Sequence, residues 1–164
     1  VIRGAHLRMG RMKNAWLAVV LVVWSAASWA QPVLLPEVEK LMAQTEAPEG
    51  VVFELLSREP SFVAKRAKLI EHQVSELKKR FPNLDISIVS HGRELAEFST
   101  QGAHLEVFKT LSEQQSVNLH VCGTVAQRLT IDENRFAEFV DIAPSGTAQL
   151  NDYRKLGYVV IRIR

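Results

Sequence analysis

Residues 51–92, VVFELLSREPSFVAKRAKLIEHQVSELKKRFPNLDISIVSHG, contain a complete strand–helix–strand unit. Val51-Val52-Phe53-Glu54-Leu55-Leu56 is a short apolar run without alternation, as a strand buried on both faces requires. Pro60 then opens a helix in which Val63, Ala67, Ile70, Val74, Leu77 and Phe81 recur at spacings of four and three. That spacing keeps all six on one stripe. Lys65, Arg66, Lys68, Lys78 and Lys79 fall outside it and form the solvated face. Pro82 stops the helix and Asn83 begins a turn. Asp85-Ile86-Ser87-Ile88-Val89-Ser90 is the second strand, ending at His91-Gly92.

The same rhythm continues downstream. Glu94–Phe98 and Ala103–Gln114 read as helical pieces broken at Thr100-Gln101-Gly102. Val117–Cys122 is the third strand, with Gly123 as its terminus. Helical turns are expected at Thr124–Leu129 and Asp132–Phe136, and a fourth strand at Phe139–Ile142. Pro144-Ser145-Gly146 leads a helix to Leu156, and Gly157 stands where a left-handed residue ends it. Tyr158–Ile163 is the last strand. Five strands alternating with helices predict an α/β domain: one parallel sheet, covered on both faces through right-handed crossovers. No internal repeat is visible.

Upstream, residues 31–49 form a Pro- and Glu-rich lead-in whose amphipathic stretch, Pro36–Met42, packs through Leu35, Val38 and Leu41. Residues 50–164 are the domain. Residues 1–30 read as a signal peptide, with Arg8, Arg11 and Lys13 before the apolar run Ala15–Ala27. Ser28 and Ala30 place the cut before Gln31. The run has 13 residues, against roughly 20 for a spanning helix. An uncleaved anchor is the alternative. Met12-Lys13-Asn14 is a conventional start, which makes residues 1–11 an upstream extension. The expectation is a periplasmic protein with no stable membrane insertion after cleavage.

Composition narrows the function. Of 164 residues, 47% are hydrophobic and 23% charged, with 8 Gly and 6 Pro, which excludes a disordered or low-complexity chain. The formal charge of +2 is carried by the leader: residues 31–164 hold all 18 acidic groups and 16 of the 20 basic ones. A domain of about −2 has no electrostatic case for nucleic acid. The single cysteine, Cys122, cannot form an intramolecular disulfide, a CxxC pair or a multi-thiolate zinc site. GxxxxGK[ST], GxGxxG and GxSxG are all absent.

In open parallel sheets, functional groups collect beyond the strands' carboxyl ends. The residues there are Ser57-Arg58, His91-Gly92, Cys122-Gly123-Thr124 and Pro144-Ser145-Gly146. Cys122 has two readings. Helix N-terminal amides after Gly123 would stabilise a thiolate and make a nucleophile or sulfur acceptor. Otherwise it is a small buried hydrophobe, as most free cysteines are. Ser145 with Gly146 either caps the following helix or cradles a small anion. Glu54 either faces solvent at a sheet edge or pairs with a basic group. His91, His120 and Cys122 form at best a partial, loosely spaced metal site without a fourth ligand, so no metal and no cofactor are expected.

Cys122-Gly123-Thr124, the stretch Val140-Asp141-Ile142-Ala143-Pro144-Ser145-Gly146, Leu156-Gly157-Tyr158 and the strand ending Val89-Ser90-His91-Gly92 together resemble the DsrE/DsrF-like family. The resemblance runs from about Gly50 to the C-terminus. It implies a three-layer α/β/α domain with a five-stranded parallel sheet, assembled as homotrimers or hexamers. It also implies sulfur trafficking, with Cys122 at the position of the family's Cys-Gly motif carrying a persulfide received from a sulfur-donor protein. His91, Gly92, Gly123, Thr124, Ser145 and Gly146 would then bind the ligand. The competing expectation is a non-catalytic oligomeric module that binds a small ligand or protein partner at the strand ends. An exposed Cys122 favours the carrier; a Cys122 buried in apolar packing favours the module.

Overall fold

The computed structural model describes residues 33–164; the signal segment and the expected cut before Gln31 lie outside the described residues. Five strands, β1 (Val51–Leu55), β2 (Ile86–Ser90), β3 (Val117–Cys122), β4 (Val140–Ala143) and β5 (Val159–Ile163), form one sheet in the order β4-β3-β2-β1-β5. Every pairing is parallel. Every residue of the inner strands β1 and β2 is buried, as expected for strands covered on both faces, including the polar Glu54, Ser87 and Ser90. The edge strands carry exposed charges instead, Asp141 on β4 and Arg162 on β5, which discourage pairing with another chain.

The strand order fixes the layers. β1 to β4 step in one direction and β5 returns to the far side of β1. Right-handed crossovers therefore put the first three connections on one face and the last on the other. The first face is covered by α2 (Phe62–Arg80) and α3 (Ala103–Gln115), with α1 (Pro36–Met42) against α2. Val51, Phe53, Ile86, Ile88 and Leu119 meet Val63, Ile70, Val74, Leu77 and Phe108 there, and each of these is at most 2% exposed. Each such side chain contributes about 1.5–3 kcal/mol by leaving water. The second face carries α5 (Gly146–Lys155) alone, over a small core of Val52, Val89, Leu150 and Tyr153. The result is a three-layer α/β/α domain with a five-stranded parallel sheet.

Local departures from the sequence reading have physical causes. The helix expected from Pro60 begins at Phe62, because Ser61 takes a left-handed conformation (φ 57°). Its open amides at Val63 and Ala64 are bonded by the Glu97 carboxylate at 3.1 and 3.0 Å, a cap supplied from over thirty residues away. Residues Arg93–Ser99 form a 3-10 helix, and the expected turn at Asp132–Phe136 shrinks to Glu133–Arg135. Gly157 has φ 85°, as the helix stop requires. The lead-in joins the core: Val38 and Leu41 are buried, and the Leu35 amide donates to Oε1 of the buried Gln73 at 2.8 Å. Among the described residues, no helix is long and apolar enough to cross a membrane.

Candidate functional site

Beyond the carboxyl ends of β1, β2 and β3 lies a cleft of about 640 Å³. Leu56-Ser57-Arg58 after β1, His91-Gly92-Arg93 after β2, and Val125, Arg128 and Leu129 of α4 (Gly123–Arg128) and its cap frame it. One buried carboxylate ties the first two segments together. Glu94 Oε2 accepts the Ser57 amide at 2.7 Å, and Oε1 accepts the Ser90 hydroxyl at 2.8 Å and the Gly92 amide at 2.9 Å. The Arg93 amide returns a bond to the Ser57 carbonyl at 3.1 Å, and the His91 amide bonds the Leu55 carbonyl at 3.1 Å. The two loops are thus held as one floor.

Glu54 is neither at an edge nor in solvent. Its side chain is 6% exposed on inner strand β1, where it accepts Arg162 Nε at 2.9 Å and Nη2 at 3.2 Å and meets His91 Nε2 at 2.9 Å. Burial alone would raise the Glu54 pKa, but the bonds from Arg162 and His91 outweigh it and hold the carboxyl below its ordinary value. A carboxyl with a depressed folded pKa stabilises the fold above its unfolded pKa, and that stabilisation is lost as pH falls through the folded value. Arg162→Met removes the main counter-charge, so the acid-unfolding midpoint should move to higher pH. Circular dichroism against pH measures it, and an unchanged midpoint would contradict the assignment.

Cys122 ends β3 and caps α4, the placement that its sequence context predicts. Its surroundings differ from those of an exposed nucleophile. The residue is 5% exposed, belongs to the main apolar core with Val121 and Ala126, and is not part of the cleft lining. α4 is six residues long, so few aligned peptides stand behind its amino end. His91 and Cys122 converge on Gly146: a Cβ there would collide with His91 Cβ and lie 3.2 Å from Cys122 Cβ.

The remaining candidates separate into two groups. His91 and Gly92 line the cleft. Gly123, Thr124, Ser145 and Gly146 serve the β3–β4–α5 junction. Thr124 Oγ1 donates to the Pro144 carbonyl at 2.8 Å, Ser145 Oγ caps α5 by accepting the Ala148 amide at 3.4 Å, and Gly123 packs against Ala143 and Ile142. His120 does not join His91: it bonds the Tyr153 hydroxyl at 2.9 Å. Burial lowers its pKa, and Asp141, 3.9 Å away, opposes that only in part. Among the described residues, no group of three His, Cys, Asp or Glu side chains is placed to hold a metal ion. Arg93 and Arg128 escaped the sequence reading. Arg93 follows the His91-Gly92 strand end by one residue, so a slightly longer strand-end window would have found it.

Solved structures share the fold, among them these two. A protein of unknown function, MTH1491 from Methanobacterium thermoautotrophicum, superposes with a TM-score of 0.61 at 19% identity, over 69% of this chain and 97% of that one. The ychN protein from E. coli superposes with a TM-score of 0.53 at 13% identity, over 70% and 99%. No curated protein matches the chain. Residues 57–163 match the DsrE/DsrF-like family, a span that takes in every strand but β1 and every residue framing the cleft except Leu56. The chain belongs to the DsrE/DsrF-like family.

Proposed function

We propose that this DsrE/DsrF-like domain is a binding module whose small ligand sits in the cleft at the strand carboxyl ends. The cleft carries this reading: segments after β1, β2 and β3 frame one cavity of about 640 Å³, within the usual range for small-molecule sites, while the one thiol lies in the core. Amide chemical shifts of the whole chain, recorded against a panel of small metabolites, test it. Shifts confined to residues around Ser57, Gly92 and Arg128 support the reading, and shifts elsewhere or none at all refute it.

The family's persulfide chemistry is the second reading, favoured by the convergence of Cys122 and the cleft residue His91 on Gly146. A thiol 5% exposed is expected to alkylate at least about tenfold more slowly in the folded protein than in urea, because labelling waits for local opening. Mass spectrometry after incubation with a persulfide donor is expected to show no added sulfur atom. Fast labelling together with a sulfur adduct absent from Cys122→Ser would establish the carrier instead. Export through residues 1–30 and assembly as a homotrimer or hexamer belong to the same proposal. The leader pattern supports the first and the family the second. Analytical ultracentrifugation reads the assembly directly.

A further inference from the structure

The cleft carries a charge opposite to that of the domain around it. Residues 31–164 have a small net negative charge, yet the cleft lining contains Arg58, Arg93, Arg128 and His91 and no carboxylate. The acids beneath it are already engaged. Glu94 accepts the Ser57, Ser90 and Gly92 donors, and Glu54 is held by Arg162 and His91. Arg66, Arg80, Arg154 and Arg162 donate to protein acceptors. The guanidinium groups of Arg58, Arg93 and Arg128 donate to no protein acceptor among the described residues. Three like charges around one cavity repel each other, and an anion between them reverses the sign of that interaction.

A second cavity of about 370 Å³ adjoins the first through Arg93 and Leu129 and adds Arg135, again with no carboxylate in its lining. The walls are not uniformly polar. Leu56, Val125 and Leu129 line the main cleft, and Leu56 is 46% exposed, one of three large hydrophobic residues exposed among those described. An inorganic ion would leave that wall wet. A carboxylate offers two oxygens, too few for three guanidinium forks, whereas a phosphate monoester offers three terminal oxygens and close to two charges.

We infer that the cleft binds a small organic phosphate-type dianion, its head between Arg58, Arg93 and Arg128 and its apolar body against Leu56, Val125 and Leu129. The inference rests on the cleft being the ligand site. The test follows amide shifts and calorimetry of the whole chain with phenyl phosphate, inorganic phosphate and phenol. Phenyl phosphate is expected to shift the amides of Ser57, Gly92 and Arg128 and to bind at least about tenfold more tightly than inorganic phosphate. Phenol should leave those amides unmoved. Arg93→Gln and Arg128→Gln, both at exposed positions, should each weaken phenyl phosphate by about tenfold or more, the size of a lost charge-assisted bond. Phenol binding as well as phenyl phosphate, or affinity unchanged in both variants, would overturn the dianion while leaving the cleft as the site. Inorganic phosphate binding as tightly as the ester would overturn the apolar contact. If none of the three compounds moves the cleft amides, the dianion inference and the proposed site fall together.

Discussion

Glu94→Ala is expected to lower the unfolding free energy by about 3–5 kcal/mol, the largest loss from any single polar side chain in the domain. The residue is 2% exposed and accepts three hydrogen bonds, two from backbone amides and one from a buried hydroxyl. Removing the acceptor strands the donors of Ser57, Ser90 and Gly92, and an unmet buried donor costs about 1–3 kcal/mol. These donors belong to the end of β2 and the loops after β1 and β2, so the same change should also disorder the cleft floor. Glu94→Gln separates the effects. Its carbonyl oxygen can still serve Ser90 and Gly92, but its amide group then meets the Ser57 amide donor to donor, at a cost of about 1–3 kcal/mol. Urea denaturation of the two variants measures both. A loss below about 1 kcal/mol for alanine would mean that water replaces the carboxylate and that the floor is not held by it.

That carboxylate also marks the limit of what the sequence makes legible. The strand runs at Val51–Leu55 and Ile86–Ser90 and the stripe from Val63 to Leu77 are local patterns, and local patterns are what periodicity reads. Gly157 is legible for the same reason, since a helix stop depends on its own backbone. The site depends on pairs that no local pattern connects. Glu54 finds Arg162 108 residues later because β5 inserts beside β1, and the strand order was not contained in any run of residues. The Glu97 cap on α2 is equally remote, so Pro60 looked like the helix start. The burial of Cys122 follows from packing with Val121 and Ala126 in the main core and from the close approach of the amino end of α5 at Gly146. The strand end, the following Gly-Thr and the helix after Ser145 are all legible locally; the closeness of that helix's first residue to Cys122 and His91 is not. The arginines of the cleft look like ordinary surface charge in sequence, and only the shared cavity groups them.

Gly146→Ala tests that close approach directly. Gly146 is the first residue of α5, and its α-carbon approaches the strand ends so closely that an added methyl group would collide with His91 Cβ and press on Cys122 Cβ at 3.2 Å. Cβ atoms are fixed to the backbone, so no rotamer change relieves the contact. Either α5 lifts from the sheet or the β2 loop shifts. Overpacking of this kind costs about 1–3 kcal/mol, and the rigid partners put this case near 3. Two further effects distinguish it from a simple loss of stability. Lifting α5 should speed alkylation of Cys122 under native conditions, and moving His91 should loosen its bond to Glu54, raising the Glu54 pKa and the pH of acid unfolding. Ser145→Ala serves as the comparison, because it removes the α5 cap at a cost of about 1 kcal/mol without adding an atom between His91 and Cys122. Its thiol should stay protected. Equal labelling rates in the two variants would show that the α5 amino end frays as a unit and that the approach at Gly146 does not shield the thiol. Gly146→Ala stability within about 0.5 kcal/mol of the parent would place that approach farther apart in solution.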